Sequence, residues 1–202
     1  MTWSDAGAGR LVDPTFADAS YGWAHPEGSA GATLSETSDG GSTWRDYLAP
    51  CPSDTPVIDA AVATASRAGY VICLAVPGTG DQPWRLVQVT PDGKVATRYQ
   101  GTASTGAALH GLLDDYVQGF TMQAGGRGLI WGSQGIYETT DGGATWNTLP
   151  TDSLDRGSFR GGGTIAPDGD AYLIRFENFS EVVQRHAEEW RTLAKWPITL
   201  GG

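Results

Sequence analysis

The chain has 202 residues and carries 13 Lys and Arg against 23 Asp and Glu, a formal net charge of −10. A surface this acidic repels phosphate backbones and argues against a nucleic-acid partner. No apolar run approaches the ~20 residues that a membrane helix needs, which argues against membrane insertion by helices.

Glycine (29), proline (11) and eight tryptophans punctuate the chain at short intervals, the composition of an all-β protein with many short strands and tight turns. The start, MTWSDAGAG, has neither the basic residues nor the apolar stretch of a signal peptide. Residues 2–7, TWSDAG, resemble the TWNTLP that follows a later Asp-Gly turn, so residues 1–10 read as the outer strand of a preceding or closing sheet. Four units follow, at about 11–49, 57–100, 116–150 and 159–196. Each opens with a short apolar stretch, a polar turn and a second apolar stretch: PTFADASYGWAH, DAAVATASRAGYVICLAV, QGFTMQAGGRGLIWG and GGTIAPDGDAYLIRF. These predict strands A and B of a four-stranded sheet. Strand C then enters an Asp-Gly turn and strand D leaves it: TSDGGSTWRDY in unit one, TPDGKVATRY in unit two, TTDGGATWNTL in unit three, and only the tail HAEEWRTL in unit four. The first and third copies agree at six of eight positions, 102 residues apart, and successive Asp-Gly turns lie 53 and 49 residues apart. Those intervals are the length of one propeller blade.

In such a turn the Asp accepts hydrogen bonds from backbone N–H groups just ahead of it, Gly permits positive φ, and Trp buries a large ring against the next sheet. Every one of these roles is structural. The pattern Ser/Thr-x-Asp-x-Gly-x-x-Trp, met by Thr37, Asp39, Gly41 and Trp44 and again by Thr139, Asp141, Gly143 and Trp146, resembles the Asp-box, or BNR, repeat of the sialidase-like superfamily. With Phe16, Asp18, Gly22 and Trp23 in the phase F-x-D-x-x-x-G-W, the chain is most similar to the photosystem II assembly/stability-factor-like branch. Sialidases, xyloglucanases and sortilin-type receptors carry the same repeat. The resemblance implies a single β-propeller domain over 1–202, built of four-stranded antiparallel blades, about four of them visible, which either close alone or belong to a larger ring or assembly. It also implies that the boxes lie away from the ligand face, which exempts Asp39 and Asp141 from catalysis.

Ligands of propellers usually bind where D→A and B→C loops converge. The D→A links are then 48–56, 100–118 and 149–162, and the B→C loops 25–31, 76–83 and 175–181. Their ionisable residues are His25, Glu27, Asp81, His110, Asp114, Asp115, Asp155, Arg156, Arg160 and Arg175. The longest link holds LHGLLDDY, which reads either as functional or as a short surface helix with a solvated acidic end. Asp114 beside Asp115 suggests a carboxylate pair for glycoside chemistry, but adjacent carboxylates usually diverge. Arg156 and Arg160 can clamp a carboxylate or pair with nearby Asp152 and Asp155. Asp168 and Asp170 read as a turn between strands. The three His are widely spaced, so no metal site is expected, and no phosphate loop or nucleophile elbow implies a cofactor.

Two functions remain. The first is a non-catalytic module that binds a protein or a glycan; the second is a glycoside hydrolase or lyase with carboxylates in the inter-blade loops. Cys51 and Cys73 fall near one blade and are either two thiols or one disulfide; a secreted or cell-envelope setting is slightly favoured. Trp44 and Trp146 are each expected to contribute ~3–5 kcal/mol. Trp3 and Trp196 are expected to be buried, either by closure of the ring within one chain or in a homo-oligomer.

Overall fold

The computed structural model describes residues 11–26, 33–47, 50–64, 66–75, 82–90, 92–103, 117–132, 135–151, 162–176 and 179–197. Among them sixteen strands form four four-stranded antiparallel sheets, with no helix. In each sheet four consecutive strands pair in chain order, the meander of a propeller blade. The chain divides into two compact units, Met1–Ala107 and Ala108–Gly202. Residues 1–10, and with them Trp3 and the expected outer strand, lie outside the described residues.

The first unit holds β1 (Leu11–Phe16), β2 (Gly22–Pro26), β3 (Leu34–Thr37) and β4 (Arg45–Tyr47), then β5 (Val57–Ala63), β6 (Gly69–Leu74), β7 (Gln82–Val89) and β8 (Val95–Ala103). Its two sheets meet through β1 and β2 against β5. Tyr21, Trp23, Leu34, Ile58, Val71, Cys73, Val87 and Val89 form the buried core there. The second unit holds β9 (Val117–Met122), β10 (Gly128–Gly132), β11 (Ile136–Thr139) and β12 (Asn147–Leu149), then β13 (Gly163–Ile165), β14 (Ala171–Phe176), β15 (Phe179–His186) and β16 (Glu189–Pro197). Its core includes Leu129, Trp131, Ile136, Leu173, Val183 and Trp190.

Indole rings lie close against glycines in both cores. A Cβ on Gly69 would stand 1.8 Å from the Trp23 ring, and one on Gly119 2.5 Å from the Trp131 ring. Large rings over bare backbone let paired strands and packed sheets approach closely.

The hairpins repeat more regularly than the sequence does. Thr64, Thr90, Gln123 and Ala166 each donate their N–H to the carbonyl four residues on, and their own carbonyl accepts from the N–H three residues on. The third residue of each loop is left-handed: Arg67 (φ 58°), Gly93 (83°), Gly126 (85°) and Gly169 (94°). This is the three-residue hairpin loop in which a left-handed residue restores the strand twist, a place glycine normally takes. Unit four differs from its alignment with the boxes. His186 pairs with Glu189, and the two residues between, Ala187 and Glu188, both have positive φ (48° and 71°). That is a two-residue hairpin, not a box remnant.

The two boxes share one bonding pattern. In the first, Thr37 Oγ1 donates to Asp39 Oδ1 (2.9 Å) and accepts from the Gly41 N–H (2.9 Å), while Asp39 accepts from the Thr43 N–H (2.9 Å) and hydroxyl (2.6 Å). In the second, Thr139, Asp141, Gly143 and Thr145 repeat this at 2.8, 3.0, 2.9 and 2.7 Å. Each Trp donates its Nε1–H to its own box, Trp44 to the Gly41 carbonyl at 3.0 Å and Trp146 to that of Gly143 at 3.1 Å. Burial separates them. Trp146 is 2% exposed, whereas Trp44 is only partly buried and packs edge-on against Phe16 of its own sheet, with centroids 6.1 Å apart. The expectation of equal burial against a neighbouring sheet is therefore corrected for Trp44. Trp196, expected to be buried by ring closure or in a homo-oligomer, is 46% exposed within the single chain. Trp196 sits on β16, an outer strand whose residues after Trp190 are all exposed.

Each unit has the same joint between its two sheets. In the first, Trp23 Nε1 donates to Tyr21 Oη (2.8 Å), and the Tyr21 hydroxyl donates to the Arg67 carbonyl (3.1 Å). In the second, the position of Tyr21 is held by Arg127, whose Nη1 donates to the Gly169 carbonyl. The structural period is thus a pair of sheets.

Candidate functional site

The Cys51–Cys73 bond sets the geometry of the loop end of the second sheet. The two cysteines are joined, with Cα atoms 5.6 Å apart, so the sequence's open alternative resolves to a disulfide. Cys73 lies on β6 opposite Arg85 of β7. The bond therefore pins the link before β5 over the same face as Arg85. A tight turn, with the Thr55 N–H donating to the Pro52 carbonyl (3.0 Å), then presents Asp54. Arg85 Nη2 meets Asp54 Oδ2 at 2.5 Å, and Arg85 Nη1 donates to Gln100 Oε1 at 3.2 Å. Gln100 is in register with Arg85, and Gly101 with Trp84.

Pro83, Trp84, Arg85, Gln100 and Gly101 line a shallow cleft of about 270 Å³. Trp84 is buried, and the Tyr99 ring lies 5.5 Å from it at a 32° tilt. A guanidinium held by a carboxylate and an amide offers directed donors and acceptors. Asp54 is its single carboxylate among the described residues, and that carboxylate is committed to Arg85.

Glu27, Asp81, His110, Asp114, Asp115, Asp155, Arg156 and Arg160 lie outside the described residues. His25 is on β2, with its backbone opposite Val12. Arg175 was expected in a B→C loop. It is instead a strand residue of β14, fully buried, with Nη1 3.0 Å from Glu181 Oε2. The two are cross-strand partners, and the Thr192 hydroxyl also donates to Glu181. This lattice ties β14, β15 and β16 together and keeps the Arg175 guanidinium from solvent.

Asp39 and Asp141 are occupied by their own turns. Hydrogen bonds from the Thr43 hydroxyl and N–H hold the Asp39 carboxyl below its usual range, and those of Thr145 do the same for Asp141. Neither is poised to carry a proton near neutrality. Asp168 and Asp170 do form a turn, the Asp170 N–H donating to Asp168 Oδ1 at 3.0 Å. Sequence reasoning missed what Asp170 then meets. His186 Nδ1 lies 2.8 Å from Asp170 Oδ1, and Gln184 donates to the same carboxylate and to Tyr172 Oη (3.0 Å). Burial alone would raise the Asp170 pKa; the bonds from His186 and Gln184 outweigh it and lower it. Among the described residues no group of three His, Cys, Asp or Glu is placed to hold a metal ion.

No family model and no curated protein matches the chain. Among solved structures it is similar to an ancestral GH74 enzyme, at 11% identity and a TM-score of 0.49 over 95% of this chain and 32% of that one. It is also similar to the extracellular domain of a one-component system from B. thetaiotaomicron, at 12% identity and a TM-score of 0.33 over 86% and 33% of the two chains. The chain spans about a third of the length of each.

Proposed function

We propose that this chain is a non-catalytic binding module of the Asp-box propeller superfamily, taking a glycan or protein partner at the Arg85 cleft. The observation that carries the reading is the Asp54–Arg85–Gln100 set, fixed over the second sheet by the Cys51–Cys73 bond. Arg85 is part-exposed at 26%, so it keeps donors for a partner while Asp54 fixes its plane. The box carboxylates accept hydrogen bonds within their own turns, which supports a structural role for them.

The test pairs binding with turnover. The protein is passed over a panel of immobilised polysaccharides and cell-surface extracts, with Arg85→Ala and Asp54→Ala alongside. Loss of retention in both variants at unchanged melting temperature supports the reading. Hydrolysis or elimination of any panel glycan, abolished by Asp115→Asn or Asp114→Asn, would replace it with the glycoside hydrolase or lyase reading.

A further inference from the structure

The strand row that carries Cys73 has a counterpart in the second unit. Cys73 and Arg175 each stand five residues past the residue that closes their hairpin, Ala68 in one and Asp170 in the other. Arg85, opposite Cys73, therefore matches Glu181, opposite Arg175. At both rows a guanidinium meets a carboxylate. In the second unit the pair is sealed, with the Arg175 and Glu181 side chains 0% and 3% exposed. In the first it is open, with Arg85 26% and Asp54 58% exposed. An open ion pair contributes little to stability. This one is still held from two directions. The Cys51–Cys73 bond and the Pro52–Thr55 turn fix Asp54, and Gln100 fixes Arg85 across the strand pair.

We propose that the open pair binds a neutral sugar through two neighbouring hydroxyls of one ring. The inference rests on the recognition reading above and narrows it to one ligand class. Asp54, Arg85 and Gln100 follow one another as a group that only accepts, a group that only donates and an amide that does both. Asp54 takes one N–H of Arg85 at Nη2 and Gln100 takes one at Nη1, so three of the five guanidinium N–H groups remain. A sugar hydroxyl both donates and accepts. One hydroxyl can give its proton to Asp54 while accepting from Arg85, and its neighbour can accept from Arg85 and from the Gln100 amide. A ligand carboxylate would compete with Asp54 for Arg85 and be repelled by it, and a ligand ammonium would be repelled by Arg85. The space beside Arg85, about 270 Å³, is at the small end of ligand sites and suits a single ring.

The experiment is a saturation-transfer NMR titration with the methyl glycosides of glucose, galactose, mannose and xylose. Their per-O-methylated forms, which keep the ring but cannot donate, and glucuronate are the controls. At least one free glycoside should bind with Kd on the order of 1–10 mM, as suits a ligand of this size. Its per-O-methylated form should not bind, and glucuronate should bind more weakly than glucose. Arg85→Lys keeps the charge and loses the fork, and Asp54→Asn removes the charged acceptor. Each should weaken binding at least about tenfold, the effect of losing a charge-assisted bond, with little change in Tm because the pair is exposed. Gln100→Ala leaves the ion pair intact and should weaken binding about threefold or more, which keeps the test decisive if either other variant melts early. No binding by any of the four glycosides, equal binding of a per-O-methylated form, tighter binding of glucuronate, or variants that all bind as wild type does would each overturn the proposal. If the glycosides fail while Arg85→Ala still abolishes retention on cell-surface extracts, this inference falls and the recognition reading stands. If Arg85→Ala leaves that retention unchanged as well, both fall.

Discussion

Gly69→Ala tests the joint of the first unit. An added Cβ would lie 1.8, 1.9 and 2.5 Å from three carbons of the Trp23 ring, so the ring must leave its place. Trp23 is 3% exposed and donates to Tyr21 Oη, which in turn donates to the Arg67 carbonyl. Overpacking costs about 1–3 kcal/mol, and the loss of one buried hydrogen bond about 1 kcal/mol more. The sum is about 2–4 kcal/mol, which for a chain of this size lowers Tm by about 5–15 °C. Thermal unfolding followed by near-UV circular dichroism reads it, because displaced indoles also change that signal. Gly125→Ala is the control: nothing lies within 4 Å of its added Cβ, and its effect should stay within about 1 kcal/mol. A Gly69→Ala protein that melts with wild type and keeps its near-UV spectrum would refute both the packing of Trp23 on β6 and the joint built on it.

Trp146→Ala should cost about 3–5 kcal/mol, and Trp44→Ala markedly less, because Trp44 is only partly buried; paired urea titrations rank them. Reduction of Cys51–Cys73, which closes 22 residues, should cost about 3 kcal/mol, seen as a lower Tm in dithiothreitol and as no free thiol in the native protein. Glu181→Ala leaves Arg175 buried and uncompensated, so it should destabilise by about 3–5 kcal/mol, whereas Glu189→Ala on the exposed part of β16 should be near neutral in the same denaturation assay. Asp141 titrates below its unfolded-state value of 3.8, so its contribution is fully present above that value and is lost as pH falls towards the lower folded value; melting curves of wild type and Asp141→Asn should converge as the pH drops below about 4.

The four-sheet plan was legible because its signals are local. Apolar stretches alternate with Gly-bearing turns, and the Thr, Asp, Gly and Trp of each box bond within eight residues. What depends on contacts between sheets was not legible. Trp44 and Trp146 occupy equal places in nearly equal octapeptides, yet their exposure differs because it is set by what packs on the ring. Arg175 sat in an expected loop because nothing local shows that Glu181, six residues on, returns as its strand partner. Arg85 escaped notice because it is a strand residue of β7, beyond the loop drawn to Pro83. The clue was there in combination: a bridge between Cys51 and Cys73 carries Asp54 towards whatever strand C sets opposite Cys73. Arg67 was hidden for another reason. A turn position that normally selects glycine carries no charge pattern, and only alignment of four hairpin geometries makes the arginine stand out.

The joint within each unit ends on a main-chain carbonyl, Arg67 in one and Gly169 in the other. A carbonyl is present whatever residue carries it, so the clasp is indifferent to the side chain above. Mutation at that position can change the chemistry offered to solvent without unfastening the two sheets, as glycine in one copy and arginine in the other demonstrate. Evolution, or a protein engineer, therefore has a socket here: a structurally guaranteed backbone whose ornament can be exchanged one codon at a time.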